Sequence, residues 1–293
     1  MTEGSTAPLI DGRPARQTTL ARLHRRGQRL LVSNAEQREA QLEQRLLALR
    51  GVSRANTIAV MSPSGGVGKT ACTFVIGNLL AAQLKLRVIA VDGNPAFGTL
   101  ARLVPADRQP ERGLAELLND ADRLFTAAEV GAYVSRLPTG LHVLAARRDS
   151  DQAVRLEPDW YGELVALLSC FYEVVMLDLG SGVVGPLAKF AARRADQIVL
   201  VTTPDWVASS AGLDALDHLR QQDRTTVAIN GTRSDTAIED RFLAENPHSA
   251  VTIPYDEQLG AMLETRTYSL GALGPSTRTA IKRLGLAVAE QLV

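Results

Sequence analysis

Ile58-Ala59-Val60-Met61-Ser62-Pro63-Ser64-Gly65-Gly66-Val67-Gly68-Lys69-Thr70 is an apolar run that breaks into a glycine-rich turn and then enters helix-forming sequence. The pattern predicts a buried strand, a tight turn and the first turn of a helix. Glycines let backbone N–H groups converge on an oxyanion, and the helix N-terminus adds partial positive charge. Lys69 would reach the β- and γ-phosphates of a nucleotide, and Thr70 would place its hydroxyl on Mg²⁺. The G-x-x-x-x-G-K-[ST] pattern asks for glycine where Pro63 stands, yet Gly65 to Thr70 after a strand keeps the signal specific. Contacts with nucleotide are expected from Ser64, Gly65, Gly66, Val67, Gly68, Lys69, Thr70 and Ala71, and the expected cofactors are ATP and Mg²⁺.

Such a loop needs an acidic partner at the end of a second buried strand. Val174-Val175-Met176-Leu177-Asp178 supplies it, followed by Gly180-Ser181-Gly182. Asp178 is therefore expected on the magnesium side together with Thr70. Val88-Ile89-Ala90-Val91-Asp92-Gly93-Asn94-Pro95 is a third strand ending in polar residues, so Asp92 and Asn94 are expected to face the γ-phosphate and the attacking water. Lys69, Asp92, Asn94 and Asp178 form the expected catalytic set.

Further apolar runs at 141–145, 198–202, 225–229 and 250–253 read as strands. Helical stretches at 71–84, 114–118, 160–171, 186–193, 207–221 and 237–244 lie between the strands, and a last helix is expected from Thr277 onward. This alternation predicts an α/β fold: a doubly wound, mostly parallel sheet with helices on both faces and the loops after the strands along one edge.

The chain has 293 residues and 45% hydrophobic content, enough for a packed core, which argues against disordered and fibrous classes. No uninterrupted apolar run reaches the 18 or so residues of a membrane span, and the first 30 residues lack the apolar stretch of a secretory signal, so a soluble cytoplasmic setting is expected. Cys72 and Cys170 lie apart in apolar segments and read as buried packing residues, not metal ligands. Net charge is zero, but residues 13–54 hold ten Arg against three Glu. The expected organisation is a disordered tail at 1–16, a basic helical arm at 17–54 and a nucleotide-binding domain at 55–293. Within the arm, Ser33-Asn34-Ala35-Glu36 fits a capping box, and Leu42, Leu46 and Leu49 share one helix face. The plainer reading is a helix lying on its own domain or on a neighbouring subunit. The sharper reading is a non-specific contact for nucleic acid or an acidic membrane surface.

At these residues the chain resembles the ParA/MinD group of deviant Walker ATPases, whose loop reads Lys-Gly-Gly-x-Gly-Lys-Thr. The likeness runs from about Asn56 to the C-terminus. Asp92 to Pro95 is similar to the family's Asp-x-Asp segment, Asp178 to its Walker B aspartate, and Thr202-Thr203-Pro204-Asp205 to a stretch of MinD-like members. The resemblance implies that Asn230, Pro254 and Tyr255 frame the adenine. The basic arm, Gly-Gly-Val-Gly-Lys-Thr and Asp-x-Asn-Pro together also look like actinobacterial MinD-like proteins, some associated with type VII secretion.

Two departures bear on hydrolysis. The family's signature lysine, which reaches across an ATP-sandwich dimer, is replaced by Ser64, and the second aspartate of Asp-x-Asp is replaced by Asn94. Backbone amides, Lys69 and Thr70 remain for ground-state binding. The expectation is a switch protein that dimerises on Mg-ATP, hydrolyses it slowly, and positions or regulates a cargo or machine through an unidentified protein partner. The alternatives are a non-hydrolysing, nucleotide-bound scaffold of a secretion-type apparatus and a partition ATPase that holds DNA through the arm. The C-terminal residues Glu290-Gln291-Leu292-Val293 do not read as the basic membrane helix of MinD.

Overall fold

The structure, a computed structural model, describes residues 36–49, 51–93, 99–145, 158–233, 242, 244 and 250–292. Its centre is strand β1 (Asn56–Met61), paired in parallel with β5 (Val174–Asp178) on one side and β6 (Gln197–Thr202) on the other. Beyond β5 lie β2 (Val88–Asp92), β4 (His142–Leu144) and the short antiparallel β3 (Ser135–Arg136). Beyond β6 lie β7 (Thr225–Thr232) and β8 (Ala250–Pro254). Seven strands are therefore parallel, with the antiparallel partner at one margin.

Both faces of this sheet are covered, which is why its strands are apolar runs and not alternating ones. Ile58 and Val60 enter one core with Phe74, Ile76 and Leu80 of α2 (Lys69–Leu84) and Ile281 and Leu284 of α9 (Pro275–Ala289). Ala59 and Met61 enter the other, with Tyr161 and Leu164 of α5 (Pro158–Ser169), Ala191 of α6 (Pro186–Arg194) and Leu213 of α7 (Trp206–Leu219). The chain leaves β1 towards β2 on one side and later returns across β1 to β6 on the other. The loops after β1 and β5 thus meet at a topological switch point, where open α/β sheets carry their ligands.

Expected strands and helices recur within two or three residues of their predicted ends, except that the last helix, expected to run to the end of the chain, stops at Ala289. The expected helix at 237–244 lies outside the described residues except for Phe242, which is buried, and Ala244. Among the described residues, besides five short 3-10 turns, three elements escaped the sequence reading. Strand β3 and helix α4 (Ala127–Val130) are too short to show a period, and α8 (Glu257–Glu264) follows directly from a strand. Asp256 starts α8 by accepting from Gln258 N–H, and it also accepts from Gly274 N–H. The pair of buried cysteines needs correction: Cys72 is buried, but Cys170 is exposed because α5 ends at Ser169 and leaves it in the following turn.

The helix over residues 36–48, here α1, packs on the domain itself. Leu46 enters the core beside α9, with Leu42 and Leu49 partly buried on the same face. Glu39 receives both Nε and Nη2 of Arg278, at 2.9 and 3.0 Å, and Lys282 Nζ reaches Glu39 at 3.1 Å and Glu43 at 2.9 Å. Lys282 is 6% exposed, so these carboxylates are its compensation for burial. The Arg278 guanidinium, opposed by partial burial and assisted by Lys282, holds the Glu39 carboxyl below its ordinary range. For this segment the plainer reading of the arm describes what is found. The predicted tail, the first part of the arm and its capping serine lie outside the described residues.

Candidate phosphate site

Gly68 adopts φ 96° at the N-terminus of α2, a left-handed conformation that favours glycine, and a Cβ there would collide with the Asn230 amide. No side chain caps α2 and its first turn holds no acid, so the N–H groups at its start remain directed into the loop. Asn230, at the end of β7, donates from Nδ2 to the Val67 carbonyl at 3.0 Å and braces the loop from behind. Ser62 Oγ donates to the Ser64 carbonyl at 2.7 Å and accepts from Ser64 N–H at 3.1 Å, closing the turn at the point where Pro63 replaces glycine. Gly182 N–H reaches the Ser62 carbonyl at 2.8 Å, tying the loop after β5 to the loop after β1.

The result is a cleft of about 340 Å³ into which Gly65, Gly66, Gly68, Lys69, Thr70 and Ala71 face from one wall and Asp92, Asp178, Gly180 and Ser181 from the other. Asp92 and Asp178 are register partners on adjacent strands, both buried. Thr70 Oγ1 donates to Asp178 Oδ2 at 2.6 Å and lies 2.6 Å from Thr99 Oγ1. Thr99 was not expected from sequence, since an isolated threonine in a loop carries no pattern. Ser64 and Val67 do not line the cleft: Ser64 is half-buried beside it and Val67 is buried beneath it.

Pro254 and Tyr255 close the far end of β8, where Tyr255 N–H reaches the Thr232 carbonyl at 2.8 Å. The Arg233 guanidinium covers the Tyr255 ring at 3.9 Å. With Asn230 these residues share the edge of the sheet that carries the cleft, though they do not line it. Asn94 lies outside the described residues. Arg193 and Arg194 end α6 just before β6 begins, at the opposite edge of the sheet where Asp196 pairs with Arg54. Neither can serve this cleft within its own chain.

The electrostatics favour a cation. Burial raises the Asp178 carboxyl to about 6, against the Thr70 hydroxyl and Lys69, which both favour its ionised form. Its Oδ1 is buried with no hydrogen-bond partner among the described residues. Burial also lowers the Lys69 ammonium, partly offset by the Asp178 charge. No cluster of three or more His, Cys, Asp or Glu among the described residues could hold a metal alone. A hydroxyl plus one under-satisfied carboxylate suits Mg²⁺, which keeps waters and shares phosphate oxygens.

Asp178 therefore weakens the nucleotide-free fold. With a folded value near 6 and an ordinary value near 3.8, it binds its proton more tightly when folded, so stability rises as pH falls from about 6 towards 4. The full effect at pH 7 is about 3 kcal/mol. Asp178→Asn is expected to stabilise the nucleotide-free protein by up to that amount at pH 7, and to flatten its pH dependence between 4 and 6. Urea unfolding at pH 4, 6 and 7 measures both, and a variant less stable than wild type at pH 7 would contradict the assignment.

No family model matches the chain. Over 247 residues it is 29% identical to the ESX-1 secretion-associated protein EspI of Mycobacterium tuberculosis, an alignment covering 80% of this chain and 36% of that protein. The chain thus spans about a third of the length of this curated relative. Among solved structures, a ParA family ATPase from Chlorobium tepidum superposes with TM-score 0.66 at 18% identity, covering 78% of this chain and 96% of that one. The septum site-determining protein MinD of Pyrococcus horikoshii, complexed with Mg-ADP, superposes with TM-score 0.63 at 16% identity, covering 80% and 94%. No described helix is long and apolar enough to cross a membrane.

Proposed function

We propose that this chain, which has the fold of the ParA/MinD group of P-loop ATPases, is an ATP-binding switch that dimerises on Mg-ATP and hydrolyses it slowly. The observation that carries the reading is the meeting of Lys69, Thr70 and the under-satisfied Asp178 in a glycine cradle at the switch point of the sheet. Backbone N–H groups and Lys69 would hold the phosphates, and Thr70 with Asp178 would hold the magnesium. Bound magnesium supplies charge neutralisation on phosphate oxygens. Asp92, buried beside Asp178, faces the same cleft as the candidate for orienting water. Asn230, Pro254 and Tyr255 are the base-side candidates, with the Arg233–Tyr255 stack as their outer wall.

Slow turnover follows from Ser64, which offers no charge to a second protomer, and from Asn94, whose amide cannot take a proton as a carboxylate can. Sedimentation velocity of the full chain tests the switch. Mg-ATP is expected to shift it from a 31.5 kDa species to one of twice that mass. Equal dimer fractions with and without ATP would exclude a nucleotide-driven switch. The likeness to a secretion-associated protein supports a second reading, a nucleotide-loaded scaffold of a secretion apparatus. That reading requires intact ATP to stay bound through purification, so release of phosphate on adding Mg²⁺ separates the two.

A further inference from the structure

A second cavity, of about 360 Å³, lies on the α2 side of the sheet, away from the phosphate cleft. Its inner wall is Phe74 and Asn78 of α2, one and two turns beyond Thr70. Its rim is Arg108, Thr139, Arg266 and Tyr268, from three separate loops. Asn78 is eight residues from Thr70, about 12 Å along the helix axis. The size falls in the range of small-molecule sites.

Its chemistry is one-sided. Arg108 and Arg266 line it, no carboxylate does, and neither arginine forms an ion pair with a described residue. Among the described residues the Arg108 guanidinium makes one long hydrogen bond, to the Arg136 carbonyl at 3.5 Å. The Tyr268 hydroxyl is buried with no hydrogen-bond partner among the described residues. Burial pushes that hydroxyl above its ordinary range, so at neutral pH it is a neutral donor. Asn78, fully buried, is oriented by bonds to the Phe74 carbonyl at 2.7 Å and from Thr139 Oγ1 at 2.5 Å. Arg266 holds a left-handed backbone, φ 57°, with its N–H on the Leu263 carbonyl. That conformation is the left-handed terminator of α8, with Thr267 N–H on the Met262 carbonyl, and it places the Arg266 side chain at the rim.

We propose that this cavity binds a small organic anion, a carboxylate or phosphate on an apolar frame, with Arg108 and Arg266 meeting the anionic group, Tyr268 donating to it and Phe74 packing the frame. Two guanidiniums without an ion pair among the described residues, beside a buried donor likewise without a partner among them, form an anion-selective rim, and charge-assisted hydrogen bonds from such groups are the strong ones. The site is independent of the nucleotide reading, because none of its residues lines the phosphate cleft.

The test is a titration of the ¹⁵N-labelled full chain with phenylacetate, with phenyl phosphate, and with uncharged 2-phenylethanol. Both anions are expected to shift the Asn78 side-chain amide and the backbone amides of Leu137, Thr139 and residues 266–268, with affinity at least about tenfold above that of the alcohol. Arg266→Gly keeps the left-handed backbone without a side-chain penalty, and combined with Arg108→Gln it is expected to cost the anions at least about tenfold while the melting temperature holds. Lys69→Ala should leave phenylacetate binding unchanged, which separates the cavity from the cleft. Equal binding of the alcohol, undiminished anion binding by the double variant, or shifts confined to residues 65–70 would each overturn the proposal.

Discussion

Lys69→Ala is expected to weaken Mg-ATP binding by about two to three orders of magnitude and, with it, to abolish nucleotide-driven assembly. Lys69 is the one lysine of the cleft, half-buried at the first position of α2, and burial already lowers its ammonium against the attraction of Asp178. Removing it deprives the triphosphate of its point charge while leaving the glycine cradle, the uncapped helix start and Thr70 in place. Some affinity should therefore persist, since backbone amides contribute independently of the side chain. Calorimetric titration with a slowly hydrolysed ATP analogue reads the loss directly. Unaltered affinity would mean that the phosphates do not lie in this loop.

Ser64→Lys is expected to raise the ATPase rate by about 10²- to 10³-fold, provided that the sandwich dimer forms. The serine closes its own turn through its backbone, with Ser62 Oγ bonding both its N–H and its carbonyl, so its side chain can be exchanged without unmaking the loop. Ser64 does not line the cleft of its own chain, which is where a residue acting across a dimer should stand. The variant reads transition-state charge in isolation, because ground-state contacts from Lys69 and Thr70 are untouched. Phosphate release from matched dimer fractions of wild type and variant is the measurement. If Ser64→Lys dimerises and gains no rate, the missing cross-dimer charge is not what slows turnover. Adding Asn94→Asp then asks whether the missing carboxylate limits the rate instead.

Much of the site was legible because a phosphate loop is a local object. Gly65 to Thr70 needs only a strand before it and a helix after it, and both signals lie within some 30 residues of sequence. Asp178 was legible because its strand ends where the apolar run ends. Asn230 could be inferred only by resemblance, and its actual contact, a brace on the Val67 carbonyl, depends on the pairing of β7 with β6. Thr99 was invisible for a similar reason: its meeting with Thr70 spans two separate loops.

The sequence alone determined the fold class, the mostly parallel sheet implied by alternating strands and helices, and the position of the glycine-rich turn proposed to hold phosphate. Each of these follows from short-range periodicity and from backbone conformations that few residues tolerate. Tertiary structure alone decided which side chains share a cavity. It set Arg193 and Arg194 at the far edge of the sheet, locked Lys282 of α9 between Glu39 and Glu43 of α1, and brought Arg108, Arg266 and Tyr268 together beside Phe74. These meetings are fixed by crossovers and by burial on the two faces of one sheet, and neither leaves a mark in the local pattern of residues.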